Sequence, residues 1–446
     1  MAADNDTISG YTAAFEGFEA SLNGGARSPL HARRREAIAH LQEHGLPTAR
    51  FEAWRHTNPA PLANGCFPPV VTAGKLSAEA IQPFVVSGID GPLLVFADGQ
   101  FVPGLSRVGD LPDGVQVHSL SAADSETAAI ITANLAALAL GAEHGFAALN
   151  TAFVRDGAVV TIHAGCTMDV PVQILHVSTG QAGLTTPRTL VVAAAGSRAS
   201  VVETFASTTA GAGVLTSSVA EIVVGAGAVV EHARIHLHGA DSLHAGTMHV
   251  TEEQDARFTA HTFCLAGRIL REDVHTVLRG EHIESTLNGL SLPLGDDHVD
   301  NYTTIEHVAP DCSSHELYKG VVGGRAHNVF RGKIHVHQAA QRTDAYQSNQ
   351  NLLMSDDAEI NSKPQLEIYA DDVKCSHGST TGQLDPDALF YLQARGVGLQ
   401  QARGVLTRAF AGELVDRLQH EGLRTHVERL VSARLDAVLA DQGGAR

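Results

Sequence analysis

The rhythm of hydrophobic and polar positions changes twice along the chain. The first sixty or so residues carry a helical pattern. Ala37, Ile38 and Leu41 form one stripe, Ser28-Pro29 supplies an N-cap and first-turn pair, and Gly45 closes the segment. The stretch FEAWRHTN (51–58) holds the single tryptophan, Trp54, expected to be an aromatic anchor that docks these helices on the next domain. Residues 84–103 carry short β runs split by Gly, Asp and Pro, and 122–145 is an Ala- and Leu-rich helical segment. Together 61–145 is expected to form a small mixed α/β unit.

From about residue 146 the chain becomes β-branched, glycine-punctuated and poor in proline. HAGCTMDVPVQILHV (163–177), AAGSRASVVETFAS (194–207) and GAGAVVEHARIHLH (225–238) align on Gly165, Gly196 and Gly227, each 31 residues from the next. Each unit is a small-residue turn followed by a β-branched or alternating strand. Further turns fall at 280–289, 295–304, 323–333 and 355–362, closer together. A fixed-period array of strand and turn predicts stacked coils, a parallel β-helix or solenoid. A β-sandwich is the alternative, disfavoured by weak hairpin signals.

The last part returns to helix. Asp385 is an N-cap, Pro386 a first-turn proline and Gly396 a C-terminal stop. Leu399, Ala402, Val405, Leu406, Ala409, Phe410 and Leu414 repeat at helical spacing, as do Val427, Leu430, Val431, Leu435, Val438 and Leu439. These stripes have no evident internal partner. Either they pack on each other or on the β domain, or they dock another protein. The expected domains are 1–145, 146–383 and 384–446.

Composition narrows the function. The 446 residues carry 31 Lys and Arg against 49 Asp and Glu, a net charge of −18. A nucleic-acid backbone or an anionic membrane is therefore not expected as the main partner. The one basic run, Arg33-Arg34-Arg35, is expected to be a solvated helix face. No window approaches a membrane span, and the acidic opening MAADNDTISGY lacks the apolar core of a signal peptide, so a cytoplasmic location is expected. Five scattered cysteines (66, 166, 264, 312 and 375) make neither a disulfide framework nor a four-cysteine cluster site. No permanently held cofactor is expected in the isolated chain.

Several patterns could carry chemistry. Fourteen of the 25 histidines lie between 232 and 337. His236/His238 and His335/His337 each share a strand face, expected to be a solvated face of a coil, with two ligands of an incomplete metal site as the alternative. Acid doublets at Asp296-Asp297, Asp356-Asp357 and Asp371-Asp372 keep open a β-helix carbohydrate hydrolase or lyase. Neighbouring strand residues point to opposite faces, so a doublet works as an acid/base pair only at a turn or bulge. There is no P-loop and no nucleophile elbow. Cys375 and His377, in DDVKCSHG, also share a strand face. Thiolate with imidazole suits Fe, Zn or Cu, but two ligands are half a site.

Residues 330–396, with LEIYADDVKCSHGSTTGQLD (366–385) at their centre, resemble the signature region of the SufB/SufD family of SUF iron–sulfur cluster assembly subunits. GLPTARFEAWRHTN (45–58), LNTAFVRDGAVVTIHAG (149–165) and PRTLVVAAAGSRASVVE (187–203) match in the same order. The stretch 367–383 is closer to the SufD branch than to the SufB branch. The resemblance implies a mainly β fold: a right-handed parallel β-helix core flanked by N-terminal and C-terminal helical domains. It implies a non-catalytic scaffold subunit that pairs by strand edges with a SufB-like chain and docks a SufC-like ABC-type ATPase through its C-terminal helices. Phe390, Tyr391, Arg395, Leu406 and Phe410 are the docking candidates there. His377 matches the family's cluster-assembly histidine and Cys375 its neighbour, so both are candidate ligands for a transient iron–sulfur cluster at the SufB-like interface. Homodimerisation in isolation is a further assembly to test.

Overall fold

The computed structural model describes residues 2–22, 29–65, 67–122, 125–136 and 144–441. Ser28, Cys66 and the 137–143 part of the expected 122–145 helix lie outside the described residues. On either side of that gap the chain forms helices Ser125–Asn134 and Gly145–Phe153.

Two ten-stranded sheets face each other, and the chain alternates between them, one strand on each per coil. The first sheet runs through Leu93–Ala97, Val172–Ser178, Arg198–Ser207, Val229–Leu237, Arg257–Ala266, Glu284–Ser291, Ser313–Val322 and Thr343–Leu353 to Val373–Gly382. The facing sheet ends on His327–Val336 and Glu359–Ile368. Neighbouring strands of successive coils are parallel and in register, as Glu203↔Arg234 and Gln347↔His377 illustrate. The molecule is a parallel β-solenoid. Its strands begin at Leu93, so the 61–145 stretch contributes its β runs to the sheets.

The aligned glycines mark one corner of the coil. Gly165, Gly196 and Gly227 have φ of +72°, +67° and +66°, a left-handed turn that glycine adopts without strain. Their amides climb the stack, Gly165 N–H to Ala195 O and Gly196 N–H to Ala226 O. The same corner continues at Asp255, His282, Asp311 and Arg342, all with φ near +60°. The coil therefore repeats beyond Gly227 at spacings of 27 to 31 residues, where the sequence shows turns closing up. Each coil has two corners, and non-glycine residues take over the left-handed position, an arrangement in which Asp is enriched.

The first sheet buries apolar residues on both faces, as buried parallel sheets generally do, while its lumen also holds polar groups and the facing sheet carries partly exposed polar residues such as His275 and Glu306 on its outer face. Inward residues such as Val230, Phe258, Leu287 and Phe330 fill the space between the sheets. Outward residues of the first sheet, among them Ala233, Ile235, Phe263 and Leu290, pack under the helices Leu399–Val415 and Glu421–Asp441. The C-terminal stripes thus have an internal partner, the flank of the sheet. The N-terminal helices Ala2–Ala20 and Pro29–His44 pack with Gly145–Phe153 on the other flank. Trp54 anchors them as expected: its ring lies 5.5 Å from Phe146, and the Arg271 guanidinium sits 4.1 Å above it. The basic run is only partly solvated. Arg33 and Arg35 pair with Glu36 and Glu19, whereas Arg34 is buried and donates to Val154 O.

Candidate functional site

The C-terminal end of the solenoid is open. Among the described residues Val373–Gly382 pairs only with Thr343–Leu353, and Glu359–Ile368 only with His327–Val336, so each has a free edge there. Both strands are ten residues long. Unpaired edges of that length invite another strand, and proteins usually cover them. The helix that follows, Pro386–Gln393, buries no residue against them. Tyr369, 61 % exposed, lies beside this end.

Cys375 and His377 sit two apart on the last strand and project into the open lumen. Cys375 aligns with Ala345 and packs among Ile334, Val336 and Ala340. Burial pushes its thiol above the ordinary range; a hydrogen bond from Ala345 opposes this and the Asp344 charge adds to it. His377, one step along, is exposed and aligns with Gln347. Next along the same face, the Ser379 hydroxyl donates to Ser362 Oγ at 2.7 Å, bridging the two last strands. Beneath His377 the row is polar: Gln347, fully buried, donates to Glu316 of the coil below. Gly332 leaves the space that the Gln347 amide fills. Burial pushes the Glu316 carboxyl up to about 7 against hydrogen bonds from Thr303 and Gln347.

The docking candidates divide. Phe390 and Tyr391 on Pro386–Gln393 are 71 % and 56 % exposed, and the Arg395 guanidinium stacks 3.6 Å from the Tyr391 ring. Leu406 is half-buried. Phe410 turns inward, with the Lys319 ammonium 4.4 Å over its ring. Val405, on the following helix Leu399–Val415, is also exposed.

Of the acid doublets, Asp296-Asp297 does structural work at a corner. Asp296 pairs with Arg325, and Asp297 pairs with Arg434, which ties the last helix to the solenoid. Asp356-Asp357 and Asp371-Asp372 are exposed. His335 and His337 stack at 4.4 Å on the outer face, near Glu367 and Glu306.

One constellation escaped the sequence pattern. Inside the lumen, Arg234 donates to Glu203 at 2.7 and 3.0 Å and to Glu272 at 2.7 Å, all three fully buried. His176 and His232 lie 3.4 and 3.5 Å from Glu203, and His236 and His244 lie 3.2 and 2.9 Å from Glu272. Burial alone would raise both carboxyls; Arg234 and the imidazoles overcome it and hold them well below the usual range. Glu203 and Arg234 occupy equivalent slots seven residues after Gly196 and Gly227, a signal present in the repeat alignment. Glu272 and His244 come from the opposite sheet, which no alignment of these repeats reaches.

Family models agree with this architecture. Residues 5–174 match the SufBD protein N-terminal region, and 176–410 match the SufBD core domain of SUF-system FeS cluster assembly. The chain is 34 % identical to the iron–sulfur cluster assembly protein SufD of Escherichia coli, over 96 % of both chains. It is 32 % identical to a SufBD family protein of Synechocystis, over 93 % of both, and 25 % identical to SufD of Bacillus subtilis over about two thirds of each. Among the described residues no helix is long and apolar enough to cross a membrane. With both family regions matched in order along a parallel solenoid and its flanking helices, the chain belongs to the SufBD family of iron–sulfur cluster assembly proteins.

Proposed function

We propose that the chain is a non-catalytic subunit of an iron–sulfur cluster assembly complex whose open end pairs with a SufB-like chain. The free edges of Glu359–Ile368 and Val373–Gly382 supply the backbone donors and acceptors for that pairing. The single observation that carries the reading is the coincidence of two adjacent free edges with Cys375 and His377 in one inward row. The nascent cluster is cargo at the junction. His377 offers an imidazole nitrogen, and a thiolate of the SufB-like partner completes the set. Cys375 is the secondary ligand: its raised thiol must lose a proton, which metal binding drives. A few mixed N/S ligands hold a cluster less firmly than four thiolates, which suits transfer.

The exposed Phe390, Tyr391 and Arg395 face, with Val405, docks a SufC-like ATPase. Leu406, half-buried on the same helix as Val405, is a weaker contact, and Phe410 packs inward against Lys319. Nucleotide-driven movement of the ATPase reaches the junction through the C-terminal helices, which lie on the flank of the first sheet. Such a complex works in the cytoplasm, where thiols stay reduced.

The test is His377→Ala in cells that depend on this system. The expected result is loss of iron–sulfur enzyme maturation with the complex still assembled. Normal maturation refutes the ligand role, and failure of the wild-type chain to co-purify with SufB-like and SufC-like partners refutes the assembly. Native mass measurement of the isolated chain reads whether the same edges pair two copies.

A further inference from the structure

Three buried histidines meet inside the solenoid, far along the chain from Cys375 and His377. His236 ends the inward row of Val229–Leu237, His238 follows it where the register shifts, and His244 comes from the facing strand Leu243–Glu252. One ligand nitrogen from each lies within 4.8 Å of the others. His236 Nδ1 and His238 Nε2 are 3.2 Å apart. Two imidazoles bound to one tetrahedral ion at about 2.0–2.1 Å have donor nitrogens roughly 3.3 Å apart. The pair already stands at that bite.

The second coordination layer is also in place. Nε2 of His236 and Nε2 of His244 both face Glu272 Oε1, at 3.2 and 2.9 Å. Ser218 Oγ also lies 3.1 Å from His244 Nε2. When Nε2 carries the proton toward a carboxylate, Nδ1 presents its lone pair, the usual orientation of a metal-ligating histidine. His244 Nδ1 is buried and has no hydrogen-bond partner. Gly246 is part of the cradle, because a side-chain carbon there would collide with the Glu272 carboxylate.

Charge points the same way. Glu203 and Glu272, two buried carboxyls, share a single guanidinium, Arg234, and otherwise meet the His176, His232, His236 and His244 rings. A further cation nearby would stabilise such a pair of buried carboxylates. A cavity of about 10 Å³ beside His238, bordered by His176, Phe205 and Thr216, has room for roughly one water.

We propose that His236, His238 and His244, oriented by Glu272, form a buried binding site for one divalent first-row transition ion such as zinc. The site is separate from the junction at His377 and goes beyond the assembly role.

The experiment uses the 446-residue chain, stripped with chelator, reloaded with zinc and desalted. Metal content is measured by mass spectrometry and the ligand shell by X-ray absorption. The expected result is one retained ion per chain with an imidazole nitrogen shell and no sulfur. His238→Gln should lose the ion, whereas His377→Ala should keep it. Glu272→Gln should weaken binding by about 10–100-fold. No retained ion in the wild type, equal retention in folded His238→Gln, or sulfur in the shell overturns the proposal. The wild-type spectrum decides the matter even if a variant fails to fold.

Discussion

Glu316→Gln probes the polar row beneath the candidate ligand. Glu316 is fully buried on the inward face of Ser313–Val322 and accepts from Gln347. Burial pushes its carboxyl up to about 7. The folded-state value thus lies above the ordinary glutamate value of about 4.3. Between those values the folded chain keeps a proton that the unfolded chain releases, so stability falls as pH rises from about 4.3 to about 7 and then levels off. The full change is worth roughly 4 kcal/mol. An amide in place of the carboxyl keeps the shape and an acceptor without the charge. The substitution should therefore stabilise the protein by up to about 4 kcal/mol at pH 8 and bring the two proteins within about 1 kcal/mol near pH 5. Glu252, also raised to about 7 by burial, titrates in the same window, so the variant should remove about half of the combined slope. Urea unfolding followed by circular dichroism at a series of pH values reads the effect as a midpoint shift at constant m. An equal stability difference at pH 5 and pH 8 refutes the reasoning.

Three further outcomes follow from the same geometry. Arg234→Met leaves Glu203 and Glu272 buried without their guanidinium and should cost about 3–5 kcal/mol, read from the urea midpoint at pH 7. Tyr391→Ala should change stability by less than about 0.5 kcal/mol, because the ring is exposed, yet weaken capture of a SufC-like ATPase in a pull-down. Cys375 should alkylate slowly at neutral pH and faster only above the ordinary thiol range, measured by peptide mass; a SufB-like partner on the free edge should slow it further.

Much of the architecture was legible because local rules repeat. Gly165, Gly196 and Gly227 show the coil length directly, since each sits where the backbone turns left-handed. The cap residues around Pro386–Gln393 act as read: Asp385 accepts from Asp387 N, and Gly396 takes a positive φ. The repeat faded after Gly227 because Asp255, His282, Asp311 and Arg342 meet the same demand, and their side chains carry no turn signature in common. The C-terminal stripes were ambiguous because an apolar helix face reads alike against a sheet or a partner. The outward residues Ala233, Ile235, Phe263 and Leu290 answer for most of it.

For the candidate site, alternation along one strand is a local property, so the shared face of Cys375 and His377 was readable. That no strand covers them is a property of the stack, visible only once every other edge has been paired. The histidine cluster lies further from sequence reasoning. His236 and His238 showed two ligands of a site. The third, His244, and the orienting Glu272 cross the lumen from the opposite sheet. The sequence by itself determined the coil, its period and the faces of its strands, because these follow from backbone geometry within a single repeat. Only the tertiary structure decided which side chains meet across the lumen and which edges stay open, because both depend on how two sheets stack and where the stacking stops.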